Sequence, residues 1–111
     1  MAEKHDDMVS RFRARLVSEG YRIETRSPFA DYRPDISASR GRRRVFVEIE
    51  ISSTLETDHT LHQLERLHSY ASRNSGVSGI LVVPPSDNAR SQFMLDSIFG
   101  DNVIRVETIG N

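Results

Sequence analysis

The feature that most constrains the fold is an alternating segment near the middle of the chain, Val45-Phe46-Val47-Glu48-Ile49-Glu50-Ile51. Its odd-numbered residues are all aliphatic, and a period of two places them on one face of a strand with Glu48 and Glu50 on the other. Residues two apart along a strand are separated by roughly 6.5–7 Å, so both carboxylates can approach one cation. We therefore predict a strand over residues 45–51 that carries two carboxylates on one face.

A second extended segment precedes this strand and supplies a third carboxylate. Pro34 suits the start of a strand, because its missing N–H rules out an interior position in a hydrogen-bonded ladder. Asp35 then lies on the polar face of the alternating segment 35–39. Arg40–Arg44 forms the connecting turn, with Gly41 able to adopt the positive φ that tight turns require. We predict that the two strands are antiparallel neighbours, which brings Asp35 close to the other two carboxylates.

The flanking segments show helix and strand patterns in turn. Apolar residues at every fourth position predict a first helix over residues 3–19, followed by a short strand over 21–26 and a loop over 27–33. A capping box, with Ser53 as N-cap and Glu56 three residues later, predicts that a second helix begins there and ends near Arg73. An uninterrupted apolar run predicts a buried strand over 79–83.

A helix and a strand complete the pattern. Ser86 or Asp87 is expected to cap a third helix over residues 88–99, with Phe93, Met94 and Ile98 facing the core, and residues 103–109 form the last strand. The order is α-β-β-β-α-β-α-β, and the strand-helix-strand passage from 45 to 83 makes its two strands parallel. We predict an α/β fold with a mixed sheet flanked by helices.

Composition limits the classes of function. With 111 residues, we expect one domain spanning residues 1–111. The net charge of -1 indicates no overall attraction to nucleic acid or membrane, so any such binding depends on local patches. There is no cysteine, which excludes disulfides, thiolate metal sites and a cysteine nucleophile. The sequence shows neither a signal peptide nor an apolar run long enough to span a membrane, so we expect a cytoplasmic protein.

The carboxylate segments resemble the PD-(D/E)XK nuclease superfamily, which has the restriction endonuclease-like fold. The resemblance is carried by Pro34-Asp35, a hairpin, and Glu48-Ile49-Glu50 inside an apolar strand, placed in the αβββαβ order of the superfamily core. It covers roughly residues 3–83. It implies that Asp35 and Glu48 hold a divalent cation with help from the carbonyl of Ile49.

One position departs from the superfamily pattern. The lysine that usually follows the glutamate by two residues is replaced by Glu50, and Lys4 is the only lysine in the chain. Some restriction endonucleases of this fold use glutamate at that place, so the resemblance implies Asp35, Glu48 and Glu50 as catalytic residues. Glu50 would then act either as the general base that accepts the proton of the attacking water or as a group that orients this water.

The chemistry of three converging carboxylates independently favours a metal ion. Removing them from water without compensation is costly or raises their pKa values. Oxygen-only ligands favour Mg²⁺, with Mn²⁺ as a substitute, over structural Zn²⁺. The competing interpretation is an exposed strand face whose glutamates pair with arginines.

Basic residues suggest where a nucleic acid would bind. Guanidinium groups contact phosphates without reading base sequence, and the hairpin turn was predicted to adjoin the carboxylates. The ordinary alternative is a solubilising hairpin tip and a solvated helix face. The predicted phosphate contacts are Arg40, Arg42, Arg43, Arg44, Arg11 and Arg15, and Arg22 and Arg33 are candidates to extend this track.

The second predicted helix offers auxiliary polar groups. His62, Gln63 and Arg66 are expected to face the active-site side of this helix, while His59 and His68 are expected on its surface. The spacing of these histidines fits no specific metal motif.

The sequence thus predicts a small Mg²⁺- or Mn²⁺-dependent nuclease that hydrolyses phosphodiester bonds in DNA. A homodimer is expected, because so small a nuclease seldom encloses a duplex alone. The alternative is a catalytically inactive relative that binds nucleic acid or a protein partner. A third possibility is an unrelated α/β interaction domain, in which Asp35 would not lie beside Glu48.

Overall fold

The structure, a computed structural model, describes residues 2–110 of the chain. The elements, in chain order, are α1 (Ala2–Ser18), β1 (Arg22–Ile23), β2 (Ile36–Arg40), β3 (Arg43–Ile49), α2 (Asp58–Arg73), β4 (Val77–Val83), α3 (Asn88–Ile98) and β5 (Ile104–Thr108). A short 3-10 helix, Pro85–Asp87, links β4 to α3.

The strands form one five-stranded mixed sheet in the order β1-β2-β3-β4-β5. β1, β2 and β3 are antiparallel neighbours, whereas β3, β4 and β5 run parallel. Gly41 in the β2–β3 turn has φ +61, the conformation expected of it. The predicted α/β class, the antiparallel hairpin and the parallel β3–β4 pair are confirmed, and the architecture is consistent with a restriction endonuclease-like fold.

Each face of the sheet carries its own apolar core, because β3 alternates as predicted. Val45, Val47 and Ile49 face α1, where Met8, Phe12 and Leu16 cover them. Phe46 faces the other side, beneath α2, in a cluster that includes Leu64, Leu67 and Leu81. Glu48 and Glu50 alternate with the first set and therefore lie on the α2 side.

The start of α2 differs from the prediction. Ser53 and Glu56 do not form a capping box: residues 52–56 are turns, and the helix begins at Asp58 with Thr57 as its N-cap. The Thr57 hydroxyl accepts the Thr60 N–H at 3.3 Å. The delay leaves an irregular segment between β3 and α2, and this segment forms part of the wall of the candidate site.

α3 also buries a different stripe from the one predicted. Met94 is buried as expected, but Phe93 is 74% exposed and Ile98 is 42% exposed, so the predicted inward set was wrong for these two. The helix instead buries Ser91 and Leu95 with Met94. The cause is geometric: α3 packs against β5 at the end of the sheet, where only a narrow stripe of a helix is covered.

Residues 21–26 form a shorter strand than predicted. Only Arg22 and Ile23 pair with β2, because the chain then leaves the sheet to form a loop. Phe29 anchors that loop by edge-on contacts with Tyr32, Phe46 and Tyr70 at centroid distances of 4.7, 5.5 and 5.0 Å. This packing also fixes Tyr32, which takes part in the candidate site.

None of the helices in residues 2–110 has the length and apolar character needed to cross a membrane.

Candidate metal centre

Three carboxylates from two neighbouring strands converge at one end of the sheet. Oxygen atoms of Asp35, Glu48 and Glu50 all lie within 4.8 Å of one another. The register explains the convergence: Ile36 pairs with Val47, so one further step places Asp35 opposite Glu48. The prediction that these three side chains share one place is confirmed.

A main-chain hydrogen bond fixes Asp35 in this arrangement. The N–H of Ile49 donates to Asp35 Oδ2 at 2.8 Å. The next residue, Glu50, donates its N–H in the opposite direction, to the Val82 carbonyl of β4 at 3.0 Å. Because main-chain groups alternate in direction along a strand, the carbonyl of Ile49 points to the same side as Asp35. This is the orientation that the predicted role of that carbonyl requires.

Glu48 is the most deeply buried member of the cluster. It is 2% exposed, and burial, reinforced by the charge of Asp35, raises its pKa to about 9. The Tyr32 hydroxyl donates a hydrogen bond to Glu48 and opposes this rise. The pKa of Tyr32 is itself raised, first by burial and then by the neighbouring charge of Glu48. Glu48 therefore holds a proton at neutral pH unless a cation compensates its charge.

Glu50 is held by the irregular segment that precedes α2. Glu50 is 7% exposed, and burial raises its pKa, an effect opposed by the hydroxyls of Thr54 and Thr60. Thr54 Oγ1 donates to Glu50 Oε1 at 2.7 Å. Thr60 Oγ1 in turn donates to the Thr54 carbonyl at 2.8 Å, which fixes the turn. The late start of α2 is thus what allows Thr54 to reach the carboxylate.

His5 joins the cluster from the first turn of α1. Its Nε2 lies 3.5 Å from Asp35 Oδ2, and its side chain is 32% exposed. Neither His5 nor Tyr32 nor Thr54 was predicted from the sequence. His5 and Tyr32 come from segments distant along the chain from the carboxylates that they contact. Thr54 is close to Glu50 in sequence, but it contacts Glu50 through a turn that was not predicted.

The carboxylates open into a cavity of about 730 Å³ between the end of the sheet and the start of α2. His5, Thr57 and Gln63 contribute to its lining together with the three carboxylates. Within the described part of the chain, this lining includes neither lysine nor arginine. Buried carboxylates are normally paired with a positive group. The interpretation of Glu48 and Glu50 as strand glutamates paired with arginines is therefore wrong.

The donor set fits a hard divalent cation. Carboxylate oxygens and a main-chain carbonyl are the ligands that Mg²⁺ and Mn²⁺ prefer. Asp35, Glu48 and the Ile49 carbonyl lie on the same side of the strand pair, and the cavity leaves room for water ligands. A divalent charge would also stabilise the ionised form of Glu48 and so oppose the effect of burial on its pKa.

The auxiliary residues predicted on α2 divide into two groups. Gln63 lines the cavity, whereas His62 and Arg66 do not. Arg66 is directed elsewhere and forms an ion pair with Asp31. His59, expected only on the surface, is exposed but lies at the cavity. His59 and Gln63 are about one helical turn apart, so both lie on the same side of α2. The later start of the helix does not change this.

The arginine hairpin is not adjacent to the carboxylates, contrary to expectation. Residues 40–44 lie at the opposite end of β2 and β3, since Arg40 pairs with Arg43. Arg43 and Glu48 are five residue steps apart along β3, which corresponds to about 17 Å. The guanidinium of Arg40 stacks over Tyr21, and that of Arg44 over Phe46.

The two arginines predicted on α1 have protein partners. Arg11 forms an i,i+4 ion pair with Asp7 at 3.7 Å. Arg15 contacts Glu107 at 3.4 Å and donates to the Thr108 carbonyl at 3.1 Å. Both groups therefore contribute to packing around α1 in this structure.

Another group of arginines, which includes the predicted candidate Arg33, lies beside the carboxylates. Arg13, Arg26 and Arg33 line a second cavity of about 220 Å³, and Asp35 belongs to the lining of both cavities. Among residues 4–110, none of these three guanidinium groups forms an ion pair. Positive charge thus borders the cluster on the side of the 24–34 loop.

These features define an α/β protein with a buried, oxygen-only carboxylate centre at the end of a mixed sheet. No protein-family model and no curated protein sequence matches the chain. Among solved structures, the chain is similar to an XisH family protein from Nostoc punctiforme, with 20% identity and a TM-score of 0.48 over 86% of this chain and 84% of that chain. The function is therefore inferred from the geometry of the site itself.

Proposed function

We propose that this protein is a small divalent-metal-dependent nuclease of the PD-(D/E)XK type, and that its substrate is DNA. One observation carries the proposal: three carboxylates, two of them almost fully buried, meet within 4.8 Å in a cavity whose described lining offers no lysine or arginine to balance them. An arrangement of this kind is costly for the fold and is expected where a cation performs chemistry.

Asp35, Glu48 and the Ile49 carbonyl would hold the ion. When bound, Mg²⁺ or Mn²⁺ supplies Lewis acidity toward a phosphoryl oxygen and toward water. The remaining steps belong to protein groups. Tyr32 fixes the orientation of Glu48 through its hydroxyl, and the Ile49 N–H does the same for Asp35.

Glu50 would act as the general base. Its raised pKa makes it a better proton acceptor than an ordinary carboxylate, and the Thr54 hydroxyl fixes its orientation by donating to Oε1. A lysine at this position would only donate hydrogen bonds to the attacking water. A glutamate can instead accept the proton of that water directly.

The phosphate backbone would approach along the side where Arg13, Arg26 and Arg33 border the cluster. Their guanidinium groups suit phosphate contacts that fix the position of a strand without reading its sequence. The β2–β3 hairpin arginines remain predicted contacts at a greater distance. The distance of about 17 Å along β3 from the hairpin to Glu48 corresponds to about five base pairs of duplex.

Cleavage assays test the proposal directly. Supercoiled plasmid, single-stranded DNA and junction DNA are incubated with Mg²⁺ or Mn²⁺, and with EDTA as the metal-free control. We expect cleavage by the wild-type protein and a loss of at least about a hundredfold in Asp35→Asn, Glu48→Gln and Glu50→Gln. Glu65→Gln, an exposed carboxylate on α2, is the matched control and is expected to retain full activity.

Calorimetry with Mg²⁺ or Mn²⁺ separates catalysis from binding alone. The nuclease is supported if the wild-type protein binds metal and cleaves DNA, and if Glu48→Gln does not bind metal. Metal binding without cleavage of any of these DNAs would instead support the inactive binding module, for which the replacement of lysine by Glu50 is the structural argument. Absence of metal binding would contradict the proposed site itself.

A further inference from the structure

The outer edge of β5 is an exposed template for strand pairing. β5 is the last strand of the sheet, and within residues 2–110 no other strand pairs with its outer side. The opposite edge of the sheet is different, because β1 comprises only Arg22 and Ile23. Short edge strands resist pairing, whereas a five-residue edge strand presents a row of main-chain donors and acceptors.

The hydrogen bonds to β4 show which main-chain groups of β5 point outward. Gly79 donates to the Val103 carbonyl and Ile109 donates to the Val83 carbonyl, both at 3.2 Å. Since donors and acceptors alternate along a parallel pair, the odd-numbered residues of β5 bond to β4. Ile104, Val106 and Thr108 therefore direct their N–H and C=O groups away from the sheet.

We propose that the β5 strands of two copies of this chain pair antiparallel about a two-fold axis at Val106, forming one continuous sheet. In this register Val106 faces Val106 of the second copy and exchanges both main-chain hydrogen bonds with it. Ile104 faces Thr108 in the same way on either side of the axis. Every outward main-chain group of the strand gains a partner in the second copy.

Charge selects this register over its neighbours. Arg105 and Glu107 lie on one face of β5, where they form a side-chain ion pair at 2.8 Å. With the axis at Val106, each Arg105 stands opposite Glu107 of the second copy in the closely spaced type of cross-strand pair. A shift that moves the axis by one residue would place Arg105 opposite Arg105, or Glu107 opposite Glu107. Like charges directly opposite each other are destabilising.

The surroundings of the edge leave space for a second copy. Among the helices of residues 2–110, α1 packs mainly over β1, β2 and β3, and α3 packs against β5 from the opposite face, so the face that carries Arg105 and Glu107 is open. Arg15 of α1 reaches this region, where it lies 3.4 Å from Glu107 and donates to the outward carbonyl of Thr108. A carbonyl oxygen accepts two hydrogen bonds, so this contact and strand pairing are compatible.

The dimer is expected to be weak, because one pair of short strands buries less than the roughly 1,200–2,000 Å² of stable interfaces. We expect a dissociation constant on the order of 10–100 µM. This inference is independent of the metal centre, and both carboxylate cavities would lie on the same face of the joined sheet.

Sedimentation velocity on the full chain tests the register. We expect the wild-type protein to shift from monomer to dimer as concentration rises through that range. Arg105→Glu and Glu107→Arg each place like charges opposite each other and should weaken association at least tenfold. The double variant that exchanges the two charges should restore it when combined with Arg15→Gln, because Arg15 lies 3.4 Å from Glu107 and would repel an arginine placed there. A wild-type monomer throughout, or single variants that associate like the wild type, would overturn the proposal.

Cross-linking gives a second readout that does not depend on charge. The chain contains no cysteine, so Val106→Cys introduces a single thiol that can form only an intermolecular disulfide. Cα atoms about 5.5 Å apart across the axis are within the range for a disulfide. Arg22→Cys, on the opposite edge, is the control. Rapid oxidation to a covalent dimer is expected only for Val106→Cys, and equal cross-linking of both variants would contradict the β5 interface.

Discussion

Without metal, the stability of this protein should fall as pH rises, and Glu48 should be the main cause. The pKa of Glu48 is raised from 4.5 to about 9. Between these values the folded protein holds a proton that the unfolded chain has released, so a rise in pH favours unfolding. The slope is about 1.4 kcal/mol per pH unit, which amounts to about 3 kcal/mol between pH 6 and pH 8. This is a large share of the roughly 5–15 kcal/mol that stabilises a domain.

Glu48→Gln should remove the part of this pH dependence that is due to Glu48. Glutamine keeps the shape of the side chain and can still accept the Tyr32 hydroxyl, but it does not titrate. Urea denaturation in EDTA at several pH values measures the free energy of unfolding, and Glu65→Gln controls for the loss of one carboxylate from the surface. We expect the wild-type protein and Glu65→Gln to lose about 3 kcal/mol over this range and Glu48→Gln to lose clearly less. Glu50 contributes in the same direction in all three proteins.

Added Mg²⁺ provides the second half of this test. Because the ion requires an ionised Glu48, it should stabilise the wild-type protein more at pH 8 than at pH 6, and should stabilise Glu48→Gln little at either pH. A wild-type protein whose stability is as flat with pH as that of Glu48→Gln would refute the burial of an uncompensated carboxylate. It would thereby remove the main physical reason for placing a cation there.

Three further substitutions test the roles assigned to neighbouring residues. Tyr32→Phe removes the hydrogen bond that lowers the pKa of Glu48, so Mg²⁺ affinity at neutral pH should fall about tenfold by calorimetry. Thr54→Val removes the hydrogen bond that lowers the pKa of Glu50, so the acid limb of the cleavage pH profile should move to higher pH while Mg²⁺ affinity changes little. Arg33→Ala should weaken DNA binding and reduce the slope of log affinity against log salt by about one, without changing metal affinity. The assigned roles would be contradicted by an unchanged Mg²⁺ affinity in Tyr32→Phe, an unchanged pH profile in Thr54→Val, or an unchanged salt slope in Arg33→Ala.

Local patterns predicted the part of the fold that holds the ligands. Alternation in residues 45–51 determines which side chains share a face, and a tight turn at Gly41 determines which strands are neighbours. Together they place Asp35 opposite Glu48 without any knowledge of distant contacts. This is why the carboxylate cluster could be predicted while most of its surroundings could not.

The errors arise where a contact between distant segments overrides a local signal. Ser53 and Glu56 have the spacing of a capping box, but Thr54 is held by Glu50, and the helix begins four residues later than Ser53 would allow. Asp87 is likewise drawn away from capping α3, because it accepts a hydrogen bond from Ser52. Propensity and spacing contain no information on such partners.

The same limitation explains the residues that were missed at the site. Tyr32 belongs to a loop with no periodic pattern, and it reaches Glu48 only because Phe29 packs the loop against Phe46. His5 is separated from Asp35 by thirty residues and reaches it because α1 crosses the sheet with its first turn at the carboxylate end. A search for polar residues in the first turn of α1 would have been the one usable signal.

Glutamate at position 50 makes the carboxylate centre more negative than a lysine there would. A lysine at position 50 would offset part of the negative charge of Asp35 and Glu48, whereas Glu50 adds to it. A cation at this centre would therefore contribute more to charge balance than it would beside a lysine, and burial is the main cause of the raised pKa values of both glutamates. Positive charge is provided instead at the border, by Arg13, Arg26 and Arg33. A substrate phosphate held there would lie near the cation without an arginine or lysine entering the carboxylate cavity, which keeps Glu50 free to accept a proton.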